Sequence, residues 1–328
     1  MRIAIVRLSA LGDIIQSIVV LQFIKKHVPN VSIDWFIQKE HKDILDQAKY
    51  LNKVYEIDIS SFRGIKFPYK LFQLSRMMNG LEKYDLVIDL QGLIKSAIVT
   101  RLIPSKIKVG FDRKSTREKI ASNFYNRTFF IDYNTNVILR YVGLVNKSLS
   151  LNISSSDIYN KESFFNYRKK EDKQNKYAIF VLGASFDSKI YSIEKYISIA
   201  NAINIHVFAI WHSKQEKSMA DYLAANSKNV SVTEKLSLLE LTELIGNANL
   251  VIGSDTGPTH LAWALNIPSI TLFGCTPMDR NCFTTKKNLA ISSDSNVNPS
   301  KIDKNDFSVS KIDHNHVILL AKNLLDTK

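Results

Sequence analysis

The chain has 328 residues, 45% of them hydrophobic and 23% charged, which is the composition of a soluble globular protein and excludes a disordered one. Its length is sufficient for two domains that each have their own core. No segment has eighteen uninterrupted apolar residues, and Arg7 interrupts the only apolar run near the N-terminus, so the sequence predicts neither a membrane span nor a signal peptide and we expect a cytoplasmic protein.

Positive charge is concentrated in the first half of the chain. Residues 1–160 contain 24 Lys and Arg against 14 Asp and Glu, whereas residues 161–328 contain 20 against 17. Such a surface suits nucleic acid, an anionic membrane face or a phosphorylated glycolipid, and it is also compatible with a solvated basic surface that has no partner. The chain has no aromatic-rich basic motif of the RNA-binding kinds, so a nucleic-acid partner is not expected.

Strand and helix patterns alternate along the first half, which predicts a doubly wound α/β sheet. The first strand, RIAIVRL at 2–8, leads through a turn into a helix that runs to about His27 and has one broad apolar face. Further strands are predicted at 31–38, 85–92 and 109–111.

The turn after the first strand, Ser9 to Asp13, contains candidate functional residues. Ligands of open α/β sheets bind at the carboxyl ends of strands, where Asp13 is located. Acidic residues are also common in a first helical turn, which leaves a purely structural role open. Gly12 permits close approach of a ligand or an unusual backbone angle. The absence of G-x-G-x-x-G argues against a nicotinamide-dependent dehydrogenase.

The second half begins after a polar stretch between Ser148 and Lys176, and we predict domains at 1–160 and 161–328. Strands are predicted at 177–185 and 203–211, with a helix at 214–226. A closing helix is predicted within 312–328, and packing of this helix on the first domain is left open.

The stretch Asn249 to Thr276 predicts a strand–helix–strand unit of a parallel sheet. Its helix opens at Pro258, whose fixed φ suits a first helical position. Asp255, Thr256, Gly257 and His260 are therefore predicted at a helix N-terminus, which favours a phosphate or diphosphate. The alternative is that Asp255 or Thr256 only caps the helix while His260 is a buried core residue.

The run SDTGPTHLAWALNIPSITLFGCT at 254–276 resembles the donor-site signature of the lipopolysaccharide heptosyltransferases, glycosyltransferase family 9. RLSALGDIIQS at 7–17 is similar to the N-terminal motif of this family, and the similarity extends through 33–45, 87–97 and 113–119. The resemblance implies a GT-B fold, with two Rossmann-like domains whose parallel sheets face each other across a cleft. It also implies inverting transfer of heptose from ADP-L-glycero-β-D-manno-heptose to the Kdo of Kdo-lipid A, on the cytoplasmic face of an anionic inner membrane.

The same resemblance implies roles for individual residues. Asp13 would be the catalytic base. The donor would contact Lys189 and Ser185 of the motif GASFDSK, Glu216 at the ribose, and Asp255, Thr256, Gly257 and His260 at the diphosphate. An Ile follows Lys189 where the family commonly has Trp, so this match is incomplete. The acceptor-side candidates are Ser9, Gly12, Arg63, Lys66, Arg117 and Arg140, and the match at Arg140 is partial because Asn136 stands where relatives often have His.

No metal ion or other cofactor is expected, because the chain contains no Asp-x-Asp and its two cysteines match no metal-ligand spacing. We expect a monomer. Two alternatives stay open: a heptosyltransferase that adds a later heptose, and a non-catalytic module that binds a nucleotide sugar or an anionic lipid and has no use for Asp13.

Overall fold

A computed structural model describes residues 1–58, 67–170 and 176–326, and the chain divides into two compact units, Met1–Phe164 and Phe165–Lys328. The division follows Phe164, whereas the sequence analysis placed it after residue 160. Arg63 and Lys66, two acceptor-side candidates, lie outside the described residues. Across the described ranges, no helix combines the length and apolar character that crossing a lipid bilayer requires.

Within its described residues, the first unit contains one six-stranded parallel sheet with the order β3-β2-β1-β4-β5-β6. Its strands are β1 (Arg2–Val6), β2 (Ser32–Gln38), β3 (Lys53–Ile57), β4 (Leu86–Asp89), β5 (Lys108–Phe111) and β6 (Arg127–Phe129). Its helices are α1 (Leu11–Ser17), α2 (Val19–His27), α3 (Phe67–Asn79), α4 (Ile94–Leu102), α5 (Val137–Leu149) and α6 (Ser155–Tyr159).

The apolar face predicted for the first helix is buried, and it is shared by two helical segments. Ile14, Ile18 and Ile24 are each fully buried. Ile18 keeps a right-handed helical backbone between α1 and α2, so the direction of the chain is nearly maintained. The helix pair covers the sheet as the 3.6-residue period of its apolar positions predicts.

The second unit repeats the architecture, again with one six-stranded parallel sheet in its described part, ordered β12-β11-β10-β7-β8-β9. Its strands are β7 (Tyr177–Val181), β8 (His206–Ile210), β9 (Val230–Val232), β10 (Leu250–Ser254), β11 (Ser269–Phe273) and β12 (Asn288–Ser292). Its helices are α7 (Ile193–Ala202), α8 (Lys214–Ala225), α9 (Leu238–Gly246), α10 (Gly257–Ala264), α11 (Met278–Asn281) and α12 (His314–Asp326).

The strand–helix–strand unit predicted at 249–276 is present as β10, α10 and β11. Every residue of β10 and β11 is buried, because neighbouring strands and helices cover both faces of a parallel strand. The α/β class with two parallel sheets is thus confirmed. Val317, Ala321 and Leu324 of the closing helix α12 belong to the core of the second unit.

Candidate active site

Asp13 lies in the first turn of α1, directly beyond the carboxyl end of β1. Ala10, the residue before α1, has an extended backbone and a side chain that cannot cap the helix. Asp13 is therefore the acidic group that the sequence provides in the first turn of α1. The Asp13 side chain is 41% exposed and its carboxylate is therefore accessible to a substrate. A negative charge is favoured here by the unpaired N–H groups of the helix.

Arg7 forms an ion pair with the Asp13 carboxylate. Its Nη2 lies 2.6 Å from Asp13 Oδ2, its Nη1 donates to the Leu90 carbonyl at 3.1 Å, and its side chain is only 7% exposed. Burial, the largest single effect, would lower the pKa of Arg7, but Asp13, Tyr141 and Asp89 together outweigh it and the pKa is raised. Arg7 is therefore a fixed cation. The sequence analysis missed this role and used Arg7 only to exclude a signal peptide, although an arginine at the end of an apolar strand was a usable signal.

Tyr141 of α5 completes this cluster around Asp13. Its hydroxyl lies 3.4 Å from Asp13 Oδ1, a long hydrogen bond, and its ring stacks over the Arg7 guanidinium at 5.3 Å. Arg7 thus contacts one carboxylate oxygen and Tyr141 the other. A short or charge-assisted bond engages only Oδ2, so Oδ1 is the oxygen that can accept a further proton donor.

Ser9 and Gly12, which the sequence placed on the acceptor side, lie beside this cluster. The Ser9 hydroxyl accepts from Gln91 Nε2 at 3.4 Å, and Gln91 Oε1 in turn accepts from the Leu8 N–H at 2.8 Å. Gly12 is part of α1, so the unusual backbone angle that the sequence allowed for is not needed there.

The two described acceptor-side arginines have different surroundings. Arg117 is exposed, whereas Arg140 is 5% exposed and donates to the carbonyls of Ile131, Asp132 and Ser115 at 2.9, 2.6 and 2.7 Å. The Arg140 guanidinium also lies over the Phe111 ring at 4.5 Å. This arrangement is that of an arginine that orders two loops. Its direct contact with an acceptor stays a prediction that this placement does not favour.

In the second unit, four side chains meet at the start of α10, and we name them the Asp255 cluster: Lys189, Asp255, His260 and Asn281. His260 Nε2 lies 2.9 Å from Asp255 Oδ1, while Lys189 Nζ and Asn281 Nδ2 lie 3.3 and 3.1 Å from Oδ2. Lys189 also donates to the Asp255 carbonyl. Because the carboxylate accepts from His260, the proton of the neutral imidazole is assigned to Nε2.

Burial and charge act in opposite directions on Asp255, which is 7% exposed. Burial raises the pKa of its carboxyl, but Lys189, His260 and Asn281 outweigh burial and hold this pKa well below its ordinary value. The neighbouring Cys282 thiol shows the opposite result, because burial and the Asp255 charge together raise its pKa to about 12. The cluster therefore contains a fixed carboxylate, and the thiol beside it stays protonated at neutral pH. Lys189 and His260, which the sequence analysis expected to bind the diphosphate, both contact the Asp255 carboxylate.

Thr256 and Gly257 form the N-terminal boundary of α10, with Pro258 in its first turn. The Thr259 hydroxyl donates to the Ser254 carbonyl at 2.6 Å and accepts from the Thr256 N–H at 3.3 Å. The local hydrogen bonds thus join the end of β10 to the first turn of α10. The first-turn amides of a helix are unpaired within it and attract an anion.

Ser185 lies on the loop after β7, and Glu216 lies in the first turn of α8. Ser185 is exposed between β7 and the short helical turn Asp187–Lys189. The Glu216 carboxylate caps its own helix, with Oε2 accepting from the His212 and Ser213 N–H groups at 2.6 and 3.3 Å. A Cβ at Gly183 would come within 2.2 Å of the Glu216 carboxyl group, so this glycine makes the room for that carboxylate beyond the end of β7.

Two Rossmann-like units, one of them with a candidate diphosphate site at a helix N-terminus, define the GT-B class of nucleotide-sugar glycosyltransferases. The family model of glycosyltransferase family 9 (heptosyltransferase) matches residues 74–309, and the chain belongs to this family of enzymes.

Curated relatives and solved structures agree with this assignment. Lipopolysaccharide heptosyltransferase 1 of Campylobacter coli is 38% identical, over 99% of each chain, and the protein of the same name from Escherichia coli K12 is 28% identical over 84% of this chain and 88% of its own. The structure of E. coli heptosyltransferase WaaC with ADP covers 99% of this chain and 100% of its own, with a TM-score of 0.80 and 24% identity. A family 9 glycosyl transferase from Veillonella parvula gives the same TM-score at 17% identity, covering 99% and 97%.

Proposed function

We propose that this enzyme transfers L-glycero-D-manno-heptose, with inversion, from ADP-L-glycero-β-D-manno-heptose to the Kdo of Kdo-lipid A. The observation that supports the proposal is the Asp255 cluster, which holds a buried lysine beside the N-terminus of α10. Further support comes from relatives named lipopolysaccharide heptosyltransferase 1 and from neighbouring structures described as containing ADP or ADP-2-deoxy-2-fluoro heptose.

Lys189 and the first-turn amides of α10 would stabilise the leaving ADP. Both Asp255 oxygens are turned to neighbours inside the cluster, so the groups that an incoming diphosphate meets are the Lys189 ammonium and the helix N–H groups. A preorganised cation and helix dipole stabilise negative charge as it develops on the leaving oxygen. The proposed ribose contact is Glu216, whose Oε2 fixes the side chain by capping α8.

Asp13 would act as the general base. In the proposed step, Asp13 Oδ1 takes the proton of the Kdo hydroxyl while that oxygen forms a bond to the anomeric carbon of heptose. The bond from this carbon to the diphosphate oxygen breaks, and ADP leaves with the electron pair. The ion pair with Arg7 at 2.6 Å fixes the orientation of the carboxylate, and Tyr141 contacts the oxygen that receives the proton.

We further propose that the reaction is independent of metal ions, since the lysine and helix amides offer positive charge at the leaving group. The proposal includes a monomer acting at the cytoplasmic face of an anionic membrane, supported by the excess of Lys and Arg in residues 1–160.

The test is a transfer assay with ADP-heptose and Kdo-lipid A, compared with Kdo-lipid A that already carries the first heptose. We expect transfer only to the acceptor without heptose. Activity only on the extended acceptor would establish a later heptosyltransferase, an alternative whose named relatives, of type 3, match at 24% and 25% identity. ADP-heptose binding without any transfer, in an assay where a known relative is active, would support the non-catalytic module instead.

A further inference from the structure

The turn after β4 lies beside the turn that carries Asp13. β1 and β4 are neighbouring parallel strands, and the Leu90 N–H donates to the Val6 carbonyl at 3.0 Å. A regular parallel ladder would continue with a bond from the Leu8 N–H to the Leu90 carbonyl. The Leu8 N–H instead donates to the side-chain Oε1 of Gln91 at 2.8 Å. A side chain thus takes the place of a backbone acceptor just beyond the ends of the two strands.

The Leu90 carbonyl is used elsewhere, because it accepts from Arg7 Nη1 at 3.1 Å. Arg7 Nη2 in turn lies 2.6 Å from Asp13 Oδ2. Leu8 is fully buried, so its N–H needs an acceptor inside the protein. Since Gln91 supplies that acceptor, the Leu90 carbonyl is available to the guanidinium that orients the Asp13 carboxylate.

The Gln91 side chain is itself held in place. Its Nε2 donates to the Ser9 hydroxyl at 3.4 Å, a long hydrogen bond, so both ends of the amide contact the turn after β1. The Asp89 carboxylate fixes its backbone, because Oδ1 accepts from the N–H groups of Gln91 and Gly92 at 2.8 and 3.1 Å. Gly92 has a φ of 70°, in the left-handed region that favours glycine, where the chain turns from β4 towards α4.

Asp89 is also bound through its other oxygen. It is fully buried, and its Oδ2 accepts from the Tyr125 hydroxyl at 2.8 Å. A Cβ at Gly110 would clash with the Tyr125 ring, so this ring lies directly on the backbone of β5. The turn that bears Gln91 is therefore supported by a buried, hydrogen-bonded carboxylate.

We infer that Gln91 is a positioning residue for the proposed base, Asp13. By accepting from the Leu8 N–H, its amide oxygen reserves the Leu90 carbonyl for Arg7, and Arg7 holds the carboxylate. Without Gln91, the Leu8 N–H would compete with the guanidinium for that carbonyl and shift it. This role rests on the proposed function of Asp13 as the base, and it requires no contact between Gln91 and a substrate.

The first experiment measures heptose transfer by the full-length Gln91→Met variant, with the acceptor that the wild type uses. Methionine has a similar length but supplies neither hydrogen bond of the amide. Because a displacement of about 1 Å at a catalytic group costs up to about 10²-fold, we expect kcat to fall about 10- to 100-fold. The KM for ADP-heptose and the affinity for ADP should not change, since the Asp255 cluster belongs to the other unit.

Two further variants separate positioning from a general loss of stability. Gln91→Glu keeps an oxygen for the Leu8 N–H and should recover most of the lost kcat. Tyr84→Phe deletes a hydroxyl that donates to buried Asp34 at 2.6 Å, beyond the opposite end of β4. It should destabilise the first unit and leave kcat unchanged. An equal loss of kcat in Tyr84→Phe, or no recovery in Gln91→Glu, would overturn the role of Gln91.

A double-mutant cycle tests whether Gln91 acts through Arg7. Arg7→Met should lower kcat by itself, and Gln91→Met added to it should lower kcat by less than about threefold more, because contacting residues of one network are coupled. Independent losses that multiply in the double variant would contradict the inference.

Hydrogen exchange at the Leu8 amide measures the anchor without any substrate. It should be faster in Gln91→Met by about tenfold or more, and close to the wild type in Gln91→Glu, because the local bond that protects it is lost only in the former. Unchanged exchange in Gln91→Met, or transfer at the wild-type rate, overturns the inference. An active Asp13→Asn enzyme would instead remove the proposed base, whatever the exchange at Leu8 shows, so the two failures are distinguishable.

Discussion

The Asp255 cluster makes a quantitative prediction about stability. Asp255→Asn keeps the shape of the side chain but leaves the Lys189 ammonium, only 10% exposed, without its counter-charge. Removing one partner of a buried ion pair typically costs about 3 to 5 kcal/mol of unfolding free energy, and we expect that loss in the second unit. Lys189→Met, which keeps an apolar stem of similar length, should cost a comparable amount because the buried carboxylate is then short of one partner.

The double variant Lys189→Met with Asp255→Asn is the decisive measurement. Neither charge is then stranded, and the oxygen of the new amide can still accept from His260 Nε2. We therefore expect the double variant to be more stable than the sum of the single losses predicts, by at least about 1 to 3 kcal/mol. Urea unfolding in a Trp35→Phe background would follow the second unit, since Trp211 and Trp263 are then the fluorophores.

The same variants have a predicted pH dependence. The folded pKa of Asp255 is lowered, so its charge contributes stability above the unfolded pKa of about 3.9, and this contribution is lost as the pH falls towards the folded pKa. The difference between wild type and Asp255→Asn should be constant from about pH 8 to 5 and narrow below about pH 4. The coupling between Lys189 and Asp255 would be refuted if the losses of the two single variants added up to that of the double variant within about 0.5 kcal/mol. It would also be refuted if the difference in unfolding free energy between wild type and Asp255→Asn did not change in acid.

Further predictions concern both units. Asp13→Asn should lower the turnover number about 10²- to 10⁴-fold with ADP affinity unchanged by calorimetry, and full activity would remove Asp13 from the mechanism. Transfer should survive excess EDTA, and restoration of a chelated enzyme by Mg²⁺ would contradict the metal-free proposal. Tyr125→Phe, which deletes the hydroxyl that donates to buried Asp89 at 2.8 Å, should lower the unfolding free energy of the first unit by about 1 to 3 kcal/mol, and an unchanged urea midpoint would show that this bond is not stabilising. Charge reversal at exposed Arg113 and Arg117 should weaken salt-sensitive binding of the full-length protein to anionic vesicles, and binding equal to wild type would leave the basic excess without a membrane role.

The sequence by itself determined the parallel-sheet architecture. Buried parallel strands are continuous apolar runs and covering helices have a 3.6-residue apolar period, so both are local patterns that can be read without the fold. The strand–helix–strand unit predicted within 249–276 is present as β10, α10 and β11, and the helix predicted at 214–226 is α8. The four edge strands were harder and all were missed: β6 and β9 have three residues each, and β3 and β12 are only partly buried.

The tertiary structure alone decided the connections within the site. Asp255 and Lys189 are 66 residues apart and Asp13 and Tyr141 are 128 apart, and no local pattern shows that such pairs meet. Arg140 was predicted to reach the acceptor, yet three backbone carbonyls from two loops surround its guanidinium. The fate of a polar side chain depends on which carbonyls and carboxylates the fold brings within about 3 Å, and that is a property of the folded chain rather than of its neighbours in sequence.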